Sequence, residues 1–109
     1  MSKTTEKNAD VTHQSDVVNY KLKRPKTIDG VEYESIDLDF SSLTGNDIAN
    51  AEVEMLSRGN IVAGPAEFNK TYLMHISARA AKLPVETLKQ LSIKDLSVIT
   101  MMTQNFLME

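Results

Sequence analysis

The chain has 109 residues, 41% hydrophobic and 25% charged, which is one soluble core's worth of sequence with no room for a second. It has no Cys and two His, which excludes disulfides, thiolate metal sites and a cysteine nucleophile, and leaves little for a histidine-based centre. A net charge of −3 argues against non-specific binding to nucleic acid or to an anionic membrane.

Residues 1–16 hold only Met1, Ala9 and Val11 as apolar side chains. Such a segment cannot offset its ordering entropy and reads as a disordered tail ahead of one domain over residues 17–109. It carries no apolar secretory-signal core, so a cytoplasmic address is expected. Next comes a predicted hairpin, residues 17–40. Val18, Tyr20 and Leu22 alternate with Asn19, Lys21 and Lys23, the period of a strand. Pro25 should close that strand or sit on a sheet edge, and Asp29-Gly30 supplies a tight turn. Beyond it Val31 and Tyr33 are odd-numbered, whereas Ile36, Leu38 and Phe40 are even. One regular strand cannot hold both sets on one face, which predicts a bulge near Glu34 and Ser35.

Helices follow at about 44–57, 65–83, 84–91 and 92–107. Thr44 and Asp47 have capping-box spacing, and Ile48, Ala51, Met55 and Leu56 form a stripe behind them, ended by Gly59-Asn60. Gly64-Pro65 opens the second helix, with Phe68, Tyr72, Ile76, Ala80 and Leu83 on one face. Pro84 starts a short helix through Leu88 and Leu91. Ser92 and Asp95 repeat the cap spacing ahead of Leu96, Ile99, Met102 or Thr103, and Phe106. The fold class read from this order is α+β: an N-terminal β-hairpin packed on a bundle of three to four helices.

The residues offer little for chemistry. Gly59 and Gly64 have phosphate-loop spacing, but Pro65-Ala66 stand where Lys and Ser/Thr are required. His13 falls in the tail. His75 has no His, Asp or Glu three or four residues away and reads as a surface or half-buried side chain. Glu32, Glu34, Asp37 and Asp39 read as a solvated strand face. The reading is therefore no enzyme: no catalytic residue, no metal and no cofactor. Charge is zoned along the chain: residues 1–30 are net +2, 31–59 net −6 and 60–109 net +1. The basic run Lys21, Lys23, Arg24 and Lys26 beside Tyr20 supports a rival reading as a small nucleic-acid-binding regulator. The last helix carries surplus apolar surface. Leu96, Val98, Ile99, Met101, Met102, Phe106 and Leu107 cover more than one face, and Met suits a surface that accommodates varied helical partners. Self-association is another outlet for the same surface.

The run from Tyr20 to Pro25, then Asp29-Gly30-Val31 and Tyr33, resembles the opening of the small tail assembly chaperones of long-tailed phages and prophages. Ile36, Leu38 and Phe40 followed by Leu43-Thr44-Gly45 and Asp47 are similar to that family's strand and its "L-T-G-x-D" element. Ala51-Glu52, Tyr72-Leu73, Ala78 to Ala81, Pro84, Leu88, Leu91, Asp95 and Phe106-Leu107 follow in the family's order. The positions that carry the match are Leu22, Pro25, Gly30, Leu43, Thr44, Gly45, Asp47, Pro84 and Asp95. The resemblance implies a non-enzymatic protein that binds the long, helical tape measure protein, keeps it soluble, helps recruit the tail tube protein, and leaves the finished particle. A longer, frameshifted form of the chain is a further partner in many such phages, and a homo-oligomer is another association to test. No membrane partner is expected. Within that role Leu96, Ile99, Met102, Phe106 and Leu107 are the candidate partner-binding residues. A structural tail-completion or connector protein retained in the virion is the alternative within phage tails.

Overall fold

A computed structural model describes residues 17–59 and 69–109. The expected tail, the Gly64-Pro65 helix start and Phe68 lie outside them. Strands β1 (Val17–Ile28) and β2 (Val31–Asp39) form an antiparallel hairpin. A 3-10 turn over Phe40–Ser42 leads to α1 (Gly45–Ser57), α2 (Lys70–Ala81), the single-turn α3 (Val85–Leu88) and α4 (Ile93–Leu107). The α+β hairpin-then-helices architecture is the one read from the sequence.

The hairpin turn puts Asp29 at φ 50° and Gly30 at φ 80°, both positive as a two-residue primed turn requires. From the open end, Val17 pairs with Asp39 and Lys21 with Ser35 in regular register. The register then slips: the next pair is Lys26 with Tyr33, so residues 22–25 of β1 stand against Glu34 alone. The slip lies where the odd-to-even switch predicted it, and the extra residues belong to β1. It lets β2 present Ile36 and Leu38 to the core on one side of the slip and Tyr33 on the other. Pro25 does not end β1. It occupies the unpaired stretch, where its missing amide costs no ladder bond.

A two-stranded sheet is marginal alone. Here Leu22, Ile28, Ile36, Leu38 and Phe40 pack on Ala78, Ala80, Leu88, Leu91 and Ile99 to make the main core. A second cluster joins Ala51 and Met55 of α1 to Tyr72, Leu73 and Ile76 of α2, and Leu43 touches both clusters.

Three helix readings need correction. Leu56 is 58% exposed, because the buried side of α1 centres on Ala51 and Met55 and the next residue swings about 100° outward. Residue 69 is not helical: Asn69 is extended and caps α2, accepting a bond from the Tyr72 amide. The same helix stops at Ala81, since Lys82 turns left-handed at φ 59°, which leaves Leu83 beyond its face. The short helix covers Val85–Leu88 alone, with Pro84 at its N-cap and Leu91 buried in the turn after it.

Candidate functional site

Helix α4 has two faces of different character. Inward, Asp95, Ile99, Thr100 and Thr103 are fully buried. The two threonines satisfy their hydroxyls on carbonyls one turn back, Leu96 and Ile99, and Thr103 also meets the Ser77 hydroxyl at 2.6 Å. Of the five candidate partner-binding residues, Ile99 has no exposed surface. Leu96, Met102 and Phe106 are half-buried against the main core, and Leu107 against the second cluster. The Phe106 ring stacks on Phe40 with centroids 5.1 Å apart. The stripe is therefore core along its centre, with a partly open border.

The surplus lies outward. Ile93 is 80% exposed, and Met101 and Met108 are each more than half exposed. Ile93 and Met101, eight residues apart, lie on one side of the helix, and Met108 follows as its C-cap. No charged residue occurs from Leu96 to Met108. Ile93 is added here to the set the sequence offered, because a helix N-terminal position inside a Ser-x-x-Asp cap gives no periodicity signal. Val53 and Leu56 make a second exposed apolar pair on α1.

Asp95 ties this helix to the hairpin. Its carboxylate accepts from the Lys23 amide at 2.8 Å, the Arg24 amide at 3.0 Å, the Tyr20 hydroxyl at 2.8 Å and the Ser92 hydroxyl at 2.8 Å. Ser92 in turn accepts the Asp95 amide, capping α4. The bulge in β1 frees two amides from the ladder, and this carboxylate collects them. Burial alone would raise the Asp95 carboxyl, but the bonds from Lys23, Tyr20, Ser92 and Arg24 outweigh it and hold the group below its ordinary value. The Tyr20 hydroxyl is pushed up to about 12 by its burial, then by its bond to Asp95 and that carboxylate's charge.

A polar seam joins α1 to its neighbours. The Asp47 carboxylate accepts from the Thr44 amide at 2.9 Å and pairs with Arg79 at 3.2 Å. Its pKa is lowered, first by the Thr44 amide. Glu54 meets His75 Nδ1 at 3.0 Å, and Arg58 reaches Glu86. His75 is fully buried, not the surface or half-buried side chain expected, because its carboxylate neighbour comes from another helix, 21 residues away in sequence.

The positions that carried the family resemblance are architectural. Leu22 is core, Pro25 sits in the bulge, and Gly30 makes the turn. Leu43 bridges the two clusters, Thr44, Gly45 and Asp47 open α1, Pro84 caps α3, and Asp95 holds the hairpin. Among the described residues no three His, Asp or Glu side chains gather as a metal site, and no helix is long and apolar enough to cross a membrane. A family model described as phage tail assembly chaperone proteins, E, or 41 or 14, matches residues 19–107. A search of curated proteins and one of solved structures each returned no match.

Proposed function

Because the chain belongs to the phage tail assembly chaperones, we propose that it binds the tape measure protein, keeps it soluble and helps bring tail tube subunits to it. The observation that carries this reading is the outward face of α4. Ile93 and Met101, with Met108 at the C-cap, stand in solvent on a helix whose opposite face already fills the core. Unbranched Met side chains adapt to helical partners of varied sequence. Leu96, Met102, Phe106 and Leu107 supply the border of the surface, while Ile99 acts from beneath by fixing the helix. Reversible binding of exposed apolar segments shifts a client away from aggregation by mass action and needs no catalytic group. The protein then works in the host cytoplasm and is absent from the mature virion.

The test is Met101→Asp with Met108→Asp, co-expressed with the tape measure protein. Both sites are exposed, so the fold should persist by circular dichroism while soluble tape measure falls several-fold. A folded double variant that still keeps its client soluble removes α4 from the role. Mass spectrometry of purified particles separates a chaperone from a retained connector, which would be present in stoichiometric amount.

A further inference from the structure

Charge on the hairpin is segregated by strand. β1 contains Lys21, Lys23, Arg24 and Lys26 and no acid, whereas β2 contains Glu32, Glu34, Asp37 and Asp39 and no base. The paired residues set no base opposite an acid: Lys21 faces Ser35, Lys26 faces Tyr33, Asn19 faces Asp37 and Thr27 faces Glu32, while Lys23 and Arg24 fall in the slip against Glu34. Among the described residues no ion pair joins the strands, and Asp39 reaches Lys82 at 4.0 Å. Opposite charges placed across a ladder would stabilise the hairpin. This one leaves Lys21, Lys23, Arg24 and Lys26 of β1 and Glu32, Glu34 and Asp37 of β2 exposed, with Asp39 half-buried at the end of its strand.

The charges also have a geometry. The Asn19 amide donates to both Ser35 and Asp37, which puts these side chains on the face away from the core. On that outer face Asp37 and Asp39 lie at the open end of β2. Lys21 and Lys23 lie on β1, nearer the turn. With strands about 4.8 Å apart and a rise of about 3.3 Å per residue, the two charge pairs are centred roughly 14 Å apart along a diagonal. A second copy, turned over about a two-fold axis perpendicular to that diagonal, sets its lysines over these aspartates and its aspartates over these lysines. We propose that the outer face of the hairpin is a self-complementary ionic surface through which two copies of the chain associate face to face. Such an isologous contact closes at two. Its ion pairs are exposed and salt-screened, so the dimer is weak and reversible. It uses none of the outward face of α4 and does not depend on what that face binds.

Sedimentation velocity over about 10 μM to 1 mM protein, in about 50 mM and 500 mM salt, tests it. The expected result is a dimer at low salt whose dissociation constant rises about ten-fold or more at high salt. Lys21→Glu with Lys23→Glu, and separately Asp37→Lys with Asp39→Lys, should each be monomeric where the parent is half dimer. Mixed in equal amounts, the two variants should form a 1:1 complex. Asp39 also accepts bonds from Ser41, so Lys21→Glu and Asp37→Lys serve as a milder pair if a double variant fails to fold. The proposal is overturned by a parent that stays monomeric throughout at low salt, as it would if these charges only deter strand-edge pairing. It is also overturned by a dimer that survives both reversals, by oligomers growing past two, or by folded variants that ignore each other.

Discussion

Four donors converge on one carboxylate at Asp95, and three of them come from β1. Replacing Asp95 by Ala strands two backbone amides and the Tyr20 hydroxyl without an acceptor. A loss of about 3–5 kcal/mol in urea unfolding is expected, large against the stability of a small domain. The pH response has a definite sign. Asp95 titrates lower folded than unfolded, so its contribution is in force above the ordinary carboxylate range and is lost as pH falls through the folded value. Asp95→Asn should flatten the acid limb of the stability profile. Tyr20 works in the opposite direction. Its folded hydroxyl keeps the proton to about 12, so stability declines as pH rises from the ordinary phenol value toward that point, and Tyr20→Phe should remove this alkaline limb. From the sequence, Asp95 is legible as the acid of a cap after Ser92. Its reach to Lys23 is not, because no local spacing encodes a bond 72 residues long.

At the scale of single elements, periodicity is informative wherever one neighbour decides a face. The parity switch in β2 located the register slip, yet placing the extra residues on β1 required knowing that Asp95 waits for the freed amides. For α1 the apolar pattern admits Leu56 beside Met55, and only the position of α2 chooses between them. The choice is measurable: Met55→Ala should cost about 2–5 kcal/mol, and Leu56→Ala about 0.5 kcal/mol or less, by urea denaturation. Gly30 offers a purely backbone test. A methyl there meets nothing within 4 Å, so Gly30→Ala should cost about 1 kcal/mol, from the positive φ alone. On α4 the sequence revealed too much apolar surface for one stripe. The structure divides it, giving Ile99 to the core and Met101 and Met108 to solvent.

Across the whole molecule two apolar clusters share α2 and meet at Leu43, and the Phe40–Phe106 stack joins the end of the hairpin to the end of the last helix. With no Trp in the chain, its tyrosines report both parts: Tyr20 and Tyr33 touch the main core and Tyr72 the second. Shared walls imply one cooperative transition, so tyrosine fluorescence and far-ultraviolet circular dichroism should give coincident unfolding curves. Two separated midpoints would mean that α1 opens by itself. The distance between Lys23 and Asp95 along the chain has a further consequence, for synthesis. At about 5–20 residues added per second, the 72 residues between them take roughly 4–14 s to make. Through that interval the nascent hairpin exists without the carboxylate that completes it, its Lys23 and Arg24 amides bonded to water. A part of the protein translated well before the last helix is thus among the last to be locked, and its window for misfolding is set by the ribosome's pace.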